Sequence, residues 1–196
     1  MSFIRAFIAL NLSEEILHGL GLTLAELKKR MPGIPVRWVP VENIHLTLKF
    51  LGDVSIANLE LLTKILRVEA ARQSPFELSV GGLGAFPSAR RPRVIWVGVE
   101  APAELGVFQR SVEAEMARLG YPPEDRPFSP HLTLGRVLRN ANAEDIRQIG
   151  NVVEGYKVGF LGATRVQAVH LYRSDLKPGG AVYTRIFTAN LGDLAS

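Results

Sequence analysis

Cysteine is absent from this chain of 196 residues. That excludes a disulfide framework, a thiol nucleophile and any thiolate metal site. An oxidising compartment is not required, so a cytoplasmic location is the default expectation. Histidine is scarce, with four in the whole chain, and no His-x-x-x-His spacing occurs. Two histidines from separate strands would still need a third zinc ligand, and none has a recognisable spacing. There is no Gly-x-Ser-x-Gly to mark a serine nucleophile. Gly81-Gly82-Leu83-Gly84 is glycine-rich but lacks the lysine and following helix of a phosphate loop, so a turn is expected there. No apolar run approaches the roughly 20 residues that span a bilayer. The opening stretch from Met1 to Leu12 is apolar, but Arg5 interrupts it and a helix start follows. It reads as a first strand and not as a signal peptide.

What is present fits a globular protein. Hydrophobic residues make up 47% and charged residues 21%, enough for a core without metals or disulfides. The length suits one domain over 1–196, or two intimately joined lobes. A net charge of +4 points mildly to an anionic partner such as nucleic acid.

Two of the four histidines sit in the same tetrapeptide. His45-Leu46-Thr47-Leu48 and His131-Leu132-Thr133-Leu134 lie 86 residues apart (45 to 131). Each reads as a strand with leucines on one face and His and Thr on the other. Simple alternation also puts Lys49 on the His face and Phe50 with the leucines, in the core. Two such strands face to face would bring two imidazoles and two hydroxyls into one cleft. With a reference pKa of roughly 6.5, one imidazole can be neutral while the other is charged. That pair can take a proton from water and give one to a leaving alkoxide, and the hydroxyls can donate to an oxyanion. The set suits attack by water on a phosphodiester, and no metal or other cofactor is demanded. A single such histidine is an ordinary strand residue; the duplicate is hard to assign to chance. His18, on the first helix, and His170, in a late strand, have no repeat and read as structural.

The rest of the chain alternates strands and helices. Strands are expected at 3–11, 36–39, 44–51, 76–83, 93–99, 130–138, 156–160, 164–172 and 182–190. Helices are expected from an N-cap at Ser13 to Met31, and at 59–72, 103–119 and 143–153. Residues 84–92, 120–129 and 174–180 read as loops. This order favours an α+β protein with largely antiparallel sheets. Arg37 and Trp38 precede the first motif, where Arg can meet a phosphate and Trp can stack on a base, with the core as the alternative for Trp38. Arg90-Arg91-Pro92-Arg93 is a basic loop that either contacts an RNA backbone or is simply solvated.

The two motifs, His45 to Gly52 and Pro130 to Arg136, resemble the signatures of the 2H phosphoesterase superfamily. The closer similarity is to RNA 2′,3′-cyclic phosphodiesterases, also called 2′-5′ RNA ligase-like or LigT-like proteins. Arg5–Leu10, Arg37-Trp38-Val39, Gly84–Pro87, Arg93–Gly98, Ser174 and Tyr183-Thr184 extend the resemblance in order along the chain, and neither motif departs from the pattern. It implies a bilobal α+β fold with flanking helices around a central cleft, one motif per lobe. It implies metal-independent hydrolysis of a 2′,3′-cyclic phosphate at an RNA 3′ end to a 2′-phosphate, with 2′-5′ ligation as a reverse activity. In that scheme His131 takes a proton from water and His45 protonates the departing O3′. Thr47 and Thr133 bind the phosphate oxygens, Arg136 supplies a nearby cation, and Tyr183 forms a pocket wall. The implied partners are RNA ends, tRNA fragments among them, or nucleotides; nothing in the sequence suggests a membrane or an obligate protein partner, and a monomer is the default expectation. Two other readings stay open: a non-catalytic RNA or nucleotide binder, and a 2H enzyme for small cyclic phosphates.

Overall fold

A computed structural model describes residues 2–178 and 180–193. The chain starts with strand β1 (Phe3–Leu10) and helix α1 (Glu14–Arg30), then β2 (Val36–Trp38), β3 (Leu46–Ser55), α2 (Leu59–Ala71), β4 (Phe76–Phe86) and β5 (Val94–Glu100). It continues through α3 (Ala103–Arg118), β6 (His131–Val137), α4 (Ala143–Gly155), β7 (Phe160–Val166), β8 (Ala168–Lys177) and β9 (Gly180–Asn190). Ser13 caps α1, its side chain accepting from the Ile16 N–H, with Glu14 and Glu15 in the first turn and three basic residues in the last. These complement the helix dipole at both ends. A capping box between Asn142 and Asp145 starts α4.

The strands form two sheets in which every pairing is antiparallel, ordered β3-β1-β8-β9 and β2-β6-β5-β4-β7. With β2 set aside, the sheets correspond position by position: β3, β1, β8 and β9 against β6, β5, β4 and β7. The helices cross over. α1, which follows β1 of the first sheet, packs on β7 of the second, while α3, which follows β5 of the second sheet, packs on β3 and α2. α2 covers β9 and β8, and α4 covers β4. This is the expected α+β architecture. The apolar faces of the helices meet the backs of the sheets through Ile16, Leu20, Leu24 and Leu27 of α1 and Leu62 and Leu66 of α2, all buried.

Several sequence expectations change, among them the turn at Gly81–Gly84, which lies within β4. Residues 84–86 continue β4, pairing with β5, instead of looping out. The loop expected at 174–180 is mostly strand: Ser174 to Lys177 pair with Tyr183 to Gly180, a ladder that overrides the turn-prone Ser174 and Asp175, and Pro178 lies in a turn. Gly179, part of that expected loop, lies outside the described residues. The strands expected at 156–160 and 164–172 are replaced by β7 and β8, which divide near Gln167.

The motif strands carry matching irregularities. Between β1 and β3, Ile8 pairs with Lys49 and Ala9 with Thr47, so Leu48 is an extra residue. Between β5 and β6, Ile95 pairs with Gly135 and Trp96 with Thr133, so Leu134 is extra in the same way. A bulge of this kind breaks the period-two alternation. Leu48 and Lys49 are consecutively buried, as are Leu134 and Gly135, and the next residues, Phe50 and Arg136, turn outward. Phe50 is 54% exposed, not in the core where alternation places it. The freed bulge carbonyls find other partners: Leu134 O accepts from Val39 N–H at 2.8 Å, and Leu48 O from Gln109 Nε2 at 3.5 Å.

At Gly135 the close approach is structural. A Cβ there would stand 2.8 Å from Val36 Cγ1 and 2.9 Å from Trp38 Cε3. Gly135→Ala is therefore expected to lower stability by about 1–3 kcal/mol, the usual cost of overpacking. A urea midpoint equal to that of the unmodified protein would show that β2 moves aside freely.

His170 is buried on the first sheet, its Nδ1 3.0 Å from Thr188 Oγ1. Burial, then the Arg185 charge, lowers its pKa to about 4. The unfolded chain binds the proton more readily, so this contribution to stability is full above about pH 6.5 and declines as pH falls toward 4. Urea unfolding of the unmodified protein and of His170→Gln at pH 7.5 and 5 tests this. The variant is expected to lose less stability on acidification; equal losses would refute it.

Candidate active site

The cleft between the two sheets has a volume of about 260 Å³, near the lower end of the roughly 300–1,000 Å³ typical of ligand pockets. Both motifs line it. His45, Thr47, His131, Thr133, Arg136 and Tyr183 all contribute to its wall. His45 comes directly before β3, after a 3₁₀ turn at Val41–Asn43, and His131 opens β6. The two rings are held alike. His45 Nδ1 lies 2.8 Å from Asn43 O, and His131 Nδ1 lies 2.7 Å from Ser129 O. A carbonyl only accepts, so each Nδ1 carries the proton as donor. In the neutral ring that leaves Nε2 as the free acceptor.

The surroundings of the two rings differ. His45 stacks on Phe7, with centroids 4.6 Å apart and planes at 21°, and meets the edge of Tyr183 at 5.4 Å. Phe7 in turn stacks on Tyr172 at 5.3 Å. Desolvation in this aromatic setting lowers the His45 pKa to about 4, only partly offset by the Asn43 carbonyl. The ring is therefore neutral in the empty cleft at neutral pH. His131 is more open and touches the Phe86 ring edge-on at 4.9 Å. Tyr183 is raised above the usual phenol value by burial, against the pull of Arg136 and Arg5. It stays protonated, a hydroxyl donor beside two cations.

Of the eight residues given a catalytic or substrate-binding role from the sequence, six meet in the cleft and two do not. Trp38 packs against the core and over Gly135, the core alternative weighed for it. Arg37 is exposed and outside the cleft wall, although register sets it directly across from Arg136 at the edge of the second sheet. Arg90, Arg91 and Arg93 also stand outside the wall. His18 is exposed on α1.

Sequence reading missed Phe50, Arg126 and Phe128, which line the cleft, and Phe7 and Tyr172, which pack around His45. Phe50 was hidden by the bulge. Arg126 and Phe128 come from an irregular loop with no pattern to read. Lys49 is among the residues that line the cleft, but its side chain is fully buried and its charge is paired with Glu113. Among the described residues, no three His, Cys, Asp or Glu side chains gather closely enough to hold a metal ion.

The chain is similar to known proteins along nearly its whole length. The family model described as LigT like Phosphoesterase matches the chain twice, over residues 10–96 and 97–183, one motif in each match. A protein of Methanothermobacter thermautotrophicus named RNA 2′,3′-cyclic phosphodiesterase is 37% identical over 181 residues, covering 92% of this chain and 95% of the relative. One of the same name from Aquifex aeolicus is 30% identical over 98% of this chain and 100% of its own length. Among solved structures, apo E. coli LigT matches with a TM-score of 0.77 and 29% identity, covering 97% of this chain and 99% of that one. E. coli LigT complexed with 3′-AMP matches with a TM-score of 0.75, 29% identity and the same coverage. A family match over both halves, each carrying one His-x-Thr motif into a shared cleft, means that this chain belongs to the LigT-like phosphoesterases of the 2H superfamily.

Proposed function

We propose that this protein hydrolyses RNA 2′,3′-cyclic phosphate ends to 2′-phosphates by a two-histidine mechanism. The observation that carries the reading is the pair of imidazoles in one cleft, each with Nδ1–H fixed on a carbonyl and Nε2 left free. A pure binding site has no need of two matched proton carriers. The names of the relatives in M. thermautotrophicus and A. aeolicus support the substrate, and the 3′-AMP complex of E. coli LigT supports a nucleotide-sized occupant.

The cyclic phosphodiester sits with its non-bridging oxygens toward Thr47, Thr133 and Arg136, which stabilise the charge that builds up in the transition state. His131 Nε2 takes a proton from water as the water oxygen bonds to phosphorus. The P–O3′ bond breaks, and His45 Nε2–H protonates the departing O3′. A 2′-phosphate and a free 3′-hydroxyl result. The same steps, with a ribose 5′-hydroxyl attacking phosphorus in place of water, join RNA ends through a 2′-5′ linkage, and their reversal cleaves that linkage. The chain's own residues carry each proton, and no step draws on a metal.

His45 is neutral in the empty cleft, so as the acid it must acquire its proton with the substrate. The phosphate anion supplies the opposite charge that offsets desolvation of the imidazolium. Binding and proton uptake are therefore linked, and affinity for the cyclic phosphate falls as pH rises above about 4, by up to about tenfold per unit until the pKa of the bound state is reached. Titration of 2′,3′-cyclic AMP into His131→Ala between pH 4.5 and 7 checks this. A flat profile, or the same slope when His45→Asn is added, would remove His45 from the acid role.

The direct test is hydrolysis, in EDTA, of an RNA oligonucleotide ending in a 2′,3′-cyclic phosphate, with identification of the phosphomonoester formed. His45→Ala and His131→Ala are each expected to lower kcat by about 10²- to 10⁴-fold, the range for a lost general acid or base. Near-full turnover by either variant, or a 3′-phosphate product, would sink the scheme.

A further inference from the structure

We propose that Lys49 and Glu113 are positioning residues for His131: their buried ion pair pins the 121–130 loop whose end orients that imidazole. The inference rests on the reading of His131 as a proton carrier. Lys49 follows the first motif, on the first sheet, whereas His131 belongs to the second. The link between them is a chain of hydrogen bonds.

The Lys49 side chain is wholly buried, and its Nζ donates to Glu113 Oε1 and to Pro122 O, each at 2.5 Å. The same Glu113 oxygen accepts from the backbone N–H of Glu124 at 2.9 Å. The other oxygen accepts from Gln109 Nε2 at 3.1 Å, and that amide also reaches the bulge carbonyl of Leu48. One knot thus joins the bulge of β3, the side of α3 and the backbone of the loop.

Burying an ammonium is costly unless a countercharge and hydrogen bonds accompany it. The fold does not require a cation at this position, because the equivalent residue of the other motif is Gly135. The loop is what gains. Pro122 to Pro127 are exposed and carry no regular structure. Among the described residues, the hydrogen bonds tying Pro122 to Phe128 to other elements are those from Lys49 and to Glu113. Beyond them the chain brings Arg126, Phe128 and Ser129 to the cleft wall. It ends at Ser129 O, which accepts from His131 Nδ1–H at 2.7 Å. If the knot is released, the carbonyl that sets the ring's tautomer and direction loses its fixed position.

The test uses Lys49→Met, Glu113→Gln and the double variant Lys49→Met/Glu113→Leu. Replacing a buried ion pair by apolar residues of similar volume is commonly neutral or stabilising, so the double variant keeps the fold where a single change leaves one charge unpaired. Three quantities are read: exchange of the Glu124 amide, which the Glu113 carboxylate accepts from, the His131 ring nitrogen signals, and kcat and KM on cyclic-phosphate RNA. In all folded variants exchange of the Glu124 amide is expected to rise at least about tenfold. kcat should fall about 10- to 100-fold with KM little changed, as for a reacting group displaced by about an ångström. Normal turnover by the double variant would make the pair merely structural. A Glu124 amide still protected in the double variant would overturn the proposal as well. If the unmodified protein turns over no cyclic-phosphate RNA, the proposed function fails, while exchange and the His131 signals still decide whether the knot holds the loop and the ring.

Discussion

One extra residue in each motif strand sets the composition of the cleft. Strict alternation would send Phe50 and Arg136 to the core side with the leucines. The bulges at Leu48 and Leu134 restore both to the cleft side and bury Lys49 and Gly135 in their place. A bulge is stable only if the carbonyl it frees finds a partner, because an unpaired buried acceptor is costly. In the second lobe that partner is the Val39 N–H, so β2 is docked as a consequence. In the first it is Gln109 of α3, the helix that crosses from the other sheet. The bulges therefore shape the site and also tie in the segments around it.

The two halves supply similar machinery in different surroundings. Both imidazoles are anchored through Nδ1 on a carbonyl two residues upstream. Yet the first motif is followed by an outward aromatic residue, Phe50, and the second by a cation, Arg136. Phe7, Tyr172 and Tyr183 extend the aromatic side around His45, whereas Arg126 and Arg136 stand on the other wall. Desolvation among these rings lowers the His45 pKa, which favours the neutral imidazole in the empty cleft. An anion between the lobes meets cations on one wall and, on the other, a neutral ring ready to take up a proton.

This division bears on which parts of the molecule could be read from the sequence. The paired tetrapeptides named both histidines and both threonines, because the same polar face written on two distant strands marks a shared task more than a shared fold. Helix boundaries followed from Ser13 and from apolar spacing. What failed were features decided by tertiary pairing. The 174–180 segment has turn-like residues, yet ladder partners hold most of it in strands. Trp38 and Arg37 sit beside the motif in sequence, but the edge position of β2 turns one onto Gly135 and leaves the other outside the wall. Phe50 and Lys49 were exchanged by a bulge, which no period-two pattern announces.

The residue after each second leucine shows how the two motifs came to serve different structural ends. At that buried position one has a lysine and the other a glycine. Glycine lets β2 and the Trp38 ring close over the second sheet, where a Cβ would collide. Lysine reaches out of the first sheet, toward the helix and loop that precede the second motif. An apolar residue could fill that space, but it could not hold Pro122 O or, through Glu113, the Glu124 amide. The cost of desolvating a charge is acceptable here because the loop it orders is otherwise exposed and ends at the carbonyl that fixes His131. In this fold a strand of one lobe is hydrogen-bonded to the loop that leads into the histidine strand of the other, so the two motifs are joined through the protein as well as across the cleft.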